Sequence, residues 1–148
     1  MRDEAGRHGP LESGGLALGY RVSDQEAVVT DVIGPGPAAE HRIDRFKPDV
    51  DFQEAELEAR FGVSDGRATY LGDWHSHPGT VGIPSAKDRR TLKRIARAPE
   101  ADCPRPVMLI LGQAGDEWLV EAWQGRLGVL DRLIVEPASL RLWDQRAV

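Results

Sequence analysis

The chain has 148 residues, with 19 Lys and Arg against 24 Asp and Glu and a formal net charge of −5. That length suits one domain with a hydrophobic core, and the acidic balance argues against a nucleic-acid binder that works by coating phosphates. Cys103 is the single cysteine, so neither an internal disulfide nor a thiolate metal site can form. The opening residues lack the apolar run of a signal peptide, and no apolar stretch reaches the roughly 20 residues of a membrane span, so a cytoplasmic protein with no membrane association is expected.

Residues 1–10 are polar, contain Gly and Pro, and read as a flexible N-terminal arm ahead of one domain over residues 11–148. Residues 16–22 and the β-branched residues 27–33 are two strands joined through the turn Ser23-Asp24-Gln25-Glu26, and Gly34-Pro35-Gly36-Pro37 ends the second. Residues 38–50 have no clear period. Asp51 is placed to N-cap a short helix through Arg60, with Phe52, Ala55 and Ala59 on one face, Leu57 and Phe61 widening it, and Gly62 as its stop. Past Ser64-Asp65-Gly66, residues 68–77 read as a strand running into a loop at Pro78-Gly79.

Pro84-Ser85 opens a second helix, in which Leu92, Ile95 and Ala96 recur at helical spacing and Pro99 forces an end near Ala98. Residues 107–112 form a continuous apolar run of strand length, as in a central strand covered on both faces. Residues 118–123 and 127–135 read as two further strands joined near Gln124-Gly125-Arg126, and the tail from Glu136 is unassigned. With no internal repeat, strands and helices in this order imply a single α/β domain.

His75 and His77 are one residue apart at a strand end, so both imidazoles point to one side while Ser76 points to the other. Two converging neutral imidazoles suit a borderline-soft ion such as Zn²⁺, although the same pair also suits a surface or a pocket wall. Seven residues from Pro78 to Pro84 lead to Ser85-Ala86-Lys87-Asp88. Ser85 and Asp88 have the spacing of a helix capping box, and a carboxylate there can equally lie beside the strand end as a ligand. Two histidines and one carboxylate would leave a fourth position open, the layout of a catalytic rather than a structural zinc site. Hydrolysis also requires a carboxylate outside the ligand set to move protons, and Glu12, just before Ser13-Gly14-Gly15 and the first strand, is the candidate.

The pattern His75-Ser76-His77-Pro78, then Ser85, two residues and Asp88, resembles the signature of the JAMM (MPN-plus) metalloproteases, and residues 11–19 resemble that family's upstream glutamate segment. The resemblance covers residues 11–135. It implies a JAMM/MPN-like domain with a central mixed sheet flanked by helices, in the layering of the cytidine deaminases. It further implies His75, His77 and Asp88 as Zn²⁺ ligands, Glu12 as general base and then acid, and Ser85 as a hydrogen-bond donor to the oxyanion. Gly72-Asp73-Trp74 would support the strand end, with Trp74 as a packing residue.

The family's characteristic reaction is hydrolysis of the amide or isopeptide bond after the C-terminal glycine of a ubiquitin-like protein. Gly34-Pro35-Gly36-Pro37 and residues 70–79 are most similar to the bacterial branch. This implies a ubiquitin-like protein or its conjugate as substrate, with operon-encoded E1/E2-like proteins as possible partners. A zinc peptidase of small peptides and a catalytically silent scaffold are the rival readings. Family members commonly carry a strand and a helix ahead of the glutamate segment, whereas eleven residues precede Glu12 here. Thr80-Val81-Gly82-Ile83 also replaces a stretch that often bears a polar or aromatic residue.

Overall fold

The apolar run at residues 107–112 lies in the middle of a six-stranded sheet, and Met108, Leu109, Ile110 and Leu111 are all buried. A computed structural model describes residues 1–141; residues 142–148, the end of the expected domain, lie outside the described residues. In chain order the elements are α1 (Arg2–His8), β1 (Gly14–Arg21), β2 (Ala27–Ile33), β3 (Glu40–His41), β4 (Phe46–Lys47), α2 (Val50–Val63), β5 (Thr69–His77), α3 (Ala86–Arg97), β6 (Val107–Ala114), β7 (Glu117–Leu127) and β8 (Leu133–Ala138). The sheet runs β2-β1-β5-β6-β7-β8, and β3 with β4 forms a separate small hairpin. Only β5 and β6 pair in parallel, joined by the crossover helix α3, so the sheet is mixed. A single α/β domain with a mixed sheet flanked by helices is the architecture expected above.

Alternation along β6 divides the core in two. Leu109 and Leu111 face one side and pack with Ala5, Ala17, Trp74 and Ala122; Met108 and Ile110 face the other and pack with Leu92 of α3. Helices therefore cover both faces of the central strands. Each fully buried Leu or Ile contributes about 1.5–3 kcal/mol through removal from water.

Several elements differ from the sequence reading. Residues 1–10 are not a loose arm: Arg2–His8 is helical, and Ala5 is wholly buried against the sheet. One small residue on an otherwise polar helix permits that close approach, a signal too short to register as a period. The N-cap of α2 is Asp49 rather than Asp51; its side chain accepts from the amides of Phe52 at 3.2 Å and Ala38 at 3.0 Å. That helix continues through Gly62 to Val63, and it turns Gln53, not Ala55 or Ala59, into the protein, where Gln53 donates to the Gly34 carbonyl. Gly125 does not join two strands. β7 runs straight through it, because Leu92 packs where a side chain would stand, and the turn falls at Val129–Asp131 instead.

Two glycines let β1 approach its neighbours. A Cβ on Gly15 would stand 1.9 Å from the Ile33 carbonyl oxygen and 2.7 Å from the Trp74 indole nitrogen; one on Gly14 would stand 2.6 Å from the Trp74 carbonyl oxygen. The pairing Gly14↔His75 and Gly15↔Trp74 thus depends on residues without side chains, and it carries the start of β1 to the functional end of β5.

If the N-terminal helix is part of the core, Ala5→Asp buries an unpaired charge and lowers stability by about 2–4 kcal/mol, whereas Arg2→Ala on its exposed side changes it by less than about 0.5 kcal/mol. Urea unfolding of the two variants checks this, and equal stabilities would contradict the packing.

Candidate metal centre

β5 ends with His75 and His77 on the face that α3 covers. Extended backbone sets both imidazoles on that side, and the buried Ser76 between them points into the opposite layer. The loop at residues 78–85 then reverses the chain. It is tied back to β6 and β7 by three hydrogen bonds: the Gly79 amide to Gln113 Oε1 (3.0 Å), the Gln113 amide to the Thr80 carbonyl (2.8 Å) and the Trp123 indole to the Gly82 carbonyl (2.8 Å). Gly82 is enclosed between Ile110 and Glu121, where a Cβ would collide with both. The start of α3 is therefore fixed beside the end of β5.

At that start Ser85 is the N-cap and Asp88 closes a full capping box. The Ser85 amide donates to Asp88 Oδ2 at 2.7 Å, and Ser85 Oγ accepts from the Asp88 amide at 3.2 Å. The same carboxylate faces the strand. His75 Nε2 is 3.2 Å from Asp88 Oδ1, His77 Nε2 is 3.4 Å from Oδ2, and the two Nε2 atoms are 3.0 Å apart. Cap and ligand, which the sequence left as alternatives, are thus one arrangement. The cap aims the carboxylate at the imidazoles.

These separations suit zinc. Metal–ligand bonds of 2.0–2.1 Å in a tetrahedral site place ligand atoms about 3.3 Å apart. Here the two Nε2 atoms are 3.0 Å apart, each has a different Asp88 oxygen at 3.2 or 3.4 Å, and one donor atom from each residue lies within 4.8 Å of the others. Among the described residues His75, His77 and Asp88 are the one group of His, Cys, Asp or Glu able to hold a metal. Their side chains are only 10–13% exposed, so the donors are largely dry without being sealed off. Three protein donors of this kind coordinate Zn²⁺ and leave a position for water or substrate.

The electrostatics agree with a built cation site. Burial opposes the charge on Asp88, yet hydrogen bonds from His75, His77 and Ser85 hold its carboxyl far below the usual carboxylate range. Burial also works against charge on His77, but the bond to Asp88 and the negative charges of Asp88 and Glu12 raise its pKa overall. The Asp88 carboxylate thus stays ionised between the two imidazoles, as a ligand for a divalent ion requires.

Glu12 lies in the irregular stretch between α1 and β1, partly exposed. Its carboxyl is raised by burial, against the lowering charges of Lys87, His75 and His77, so it stands within electrostatic reach of the ligands. Ser85 is exposed at the mouth; its Oγ uses a lone pair on the cap and keeps its proton free to donate. The five residues picked out from the sequence are brought to one end of the sheet. Trp74, 1% exposed with its indole donating to the Ile33 carbonyl at 2.9 Å, is a packing residue.

Ser76 was missed. Its Oγ accepts from the Ser13 amide at 2.9 Å and its own amide donates to the Ser13 carbonyl at 2.8 Å, stitching the residue after Glu12 to the residue between the two ligands. Nothing in the sequence signals a bond between positions 63 residues apart.

Comparison with known proteins matches this geometry. Residues 1–124 match the prokaryotic homologues of the JAB domain. The probable metalloprotease y4qB of Sinorhizobium fredii is 41% identical over 128 residues, which cover 86% of this chain and 78% of that protein. Proteins named CD-NTase/cGAS isopeptidase are each 32% identical: that of Enterobacter hormaechei over 114 residues (76% of this chain) and that of Vibrio cholerae over 108 (73%). The matched region spans 61% and 65% of those two proteins, less than two thirds of their length. The solution structure of protein DSY2949 from Desulfitobacterium hafniense superposes with a TM-score of 0.62 at 22% identity, covering 98% of this chain and 88% of that one, which shows a shared fold. With a match that runs from residue 1 to residue 124 and a complete zinc-ligand set, the chain belongs to the prokaryotic JAB-domain family and carries the metallopeptidase centre of its JAMM members.

Proposed function

We propose that this protein hydrolyses the peptide or isopeptide bond that follows the C-terminal glycine of a ubiquitin-like protein, in deconjugation or in precursor processing. The observation that carries the hydrolytic part is the meeting of His75, His77 and Asp88, with the carboxyl of Glu12 within electrostatic reach of them. The substrate class draws its support from the relatives named CD-NTase/cGAS isopeptidase. A glycine at the scissile bond also suits a site held between a strand end and a helix start, because a residue without a side chain approaches closely.

Bound by His75, His77 and Asp88, zinc would supply Lewis acidity, polarising a carbonyl and lowering the pKa of water toward neutrality. The chain's own groups do the rest. Glu12 accepts a proton as the water oxygen bonds to the carbonyl carbon, and it returns that proton to the leaving amine as the C–N bond breaks. The partial burial that raises the Glu12 carboxyl makes it a better proton acceptor than a fully solvated carboxylate. Ser85 donates its hydroxyl proton to the carbonyl oxygen as negative charge develops there. Exposed Val81 and Ile83, on the tethered loop between the ligands, provide an apolar wall for the incoming tail. E1/E2-like proteins encoded nearby would supply the conjugates to be cut.

The purified protein should contain close to one zinc per chain, lose it with His77→Ala, and lose and regain activity when the metal is chelated and restored. Glu12→Gln should keep the zinc while turnover falls by roughly 10³-fold; full turnover in that variant, with metal content measured by mass spectrometry, would remove Glu12 from the mechanism. Lowering the pH below the imidazole range should release the ion, since protons compete for His75 and His77; metal retained under such conditions would mean other ligands. A ubiquitin-like protein fused through its terminal glycine to a reporter should be cut after that glycine, with a free Gly-Gly dipeptide turned over far more slowly. The reverse preference would favour a small-peptide peptidase.

A further inference from the structure

Besides its two metal-binding histidines the chain has His8 and His41, and both lie against the segment that bears Glu12. His41 Nδ1 is 2.9 Å from the Glu12 carbonyl oxygen. A carbonyl oxygen can only accept, so the Nδ1 proton is the one donated. The Glu12 amide donates in turn to the Arg42 carbonyl at 2.8 Å. Both backbone polar groups of Glu12 are thereby bonded to two consecutive residues, at the end of β3 and just beyond it.

The imidazole that makes this bond is itself held. The ring of His8 stacks on His41 with centroids 3.6 Å apart and planes 15° apart, and Phe46 of β4 lies at 5.4 Å. His8 Nε2 is 2.8 Å from Glu4 Oε1 one turn earlier on α1, which fixes the second ring. One residue further along, Ser13 is pinned to Ser76 between the metal ligands. Glu12 therefore sits in irregular backbone clamped from two sides, by β5 through Ser76 and by α1 and the β3–β4 hairpin through His8 and His41.

We propose that His41 is a positioning residue for proton transfer: its Nδ1–H bond to the Glu12 carbonyl, buttressed by the His8 ring, sets where the Glu12 carboxylate stands relative to His75, His77 and Asp88. This rests on Glu12 being the general base. The sensitivity is expected, because displacement of a catalytic group by about 1 Å can lower a rate by roughly 10²-fold. A bond that served stability alone would leave turnover of the folded protein unchanged.

The test combines a measurement on the metal-free protein with three variants. ¹⁵N NMR of the histidines, with the imidazoles neutral, should find His41 in the Nδ1–H tautomer; the Nε2–H tautomer would overturn the proposal. His41→Phe keeps a ring between His8 and Phe46 but has no donor. It should bind zinc fully, hold KM on the fusion substrate of the preceding test within about twofold, and lose kcat by about 10- to 100-fold. His41→Asn, whose side-chain N–H can stand near the place of Nδ1–H, should recover kcat to within about threefold of the parent. In a Glu12→Gln background His41→Phe should have no further effect on kcat, since the group it positions is gone.

Unchanged kcat in His41→Phe, or a loss of zinc in step with the loss of activity, overturns the role. The two readings fail differently. If Glu12→Gln is inactive and His41→Phe is fully active, only the positioning role falls; if Glu12→Gln is active, the base assignment beneath it falls.

Discussion

The carboxylate of Asp88 serves a helix terminus and two imidazoles at once, and the rest of the site depends on that sharing. A helix start leaves amide donors without partners, and an acid in the first turn satisfies them. Here one oxygen takes the Ser85 amide while the carboxylate meets His75 and His77. The interaction couples the end of β5 to the start of α3, so helix position and ligand geometry cannot vary independently. It also explains how a carboxylate stays ionised in a largely dry pocket: hydrogen bonds from His75, His77 and Ser85 offset the penalty of burying it.

Around this point the fold supplies rigidity by pairing rather than by bulk. The parallel pair of β5 and β6 fixes His75 against Ile110 and His77 against Gly112, and the loop between the ligands is tied to β6 and β7. On the other edge of β5, two glycines let β1 run close enough for Ser13 and Ser76 to exchange hydrogen bonds. Glu12 is placed by the backbone immediately before that contact. A carboxylate outside regular structure is thus held by neighbours in sequence that are themselves held by the sheet.

The N-terminal helix changes the reading of the whole molecule. Through Ala5 it closes one face of the core, and through His8 it reaches the hairpin that grips Glu12. A segment of seven helical residues with one buried side chain has no stability of its own, since isolated helices of fewer than about 12–15 residues are marginal in water. It is helical because the sheet offers it a surface, and local composition does not reveal such an offer.

The sequence by itself determined the shared face of the two histidines, the helix cap, and the two strongest elements around them. Alternation puts both histidines on one side of an extended strand, and the box from Ser85 to Asp88 caps a helix; both are local consequences of covalent geometry and of unpaired amides. The apolar run of β6 was legible as a central strand for the same reason. Tertiary structure alone decided that the cap and the ligand are one carboxylate, that Gly125 admits Leu92 instead of turning the chain, and that Ser76 and His41 hold the segment bearing Glu12. Each of these joins residues far apart in the chain, and the energy of such contacts appears only after strands have paired and helices have docked.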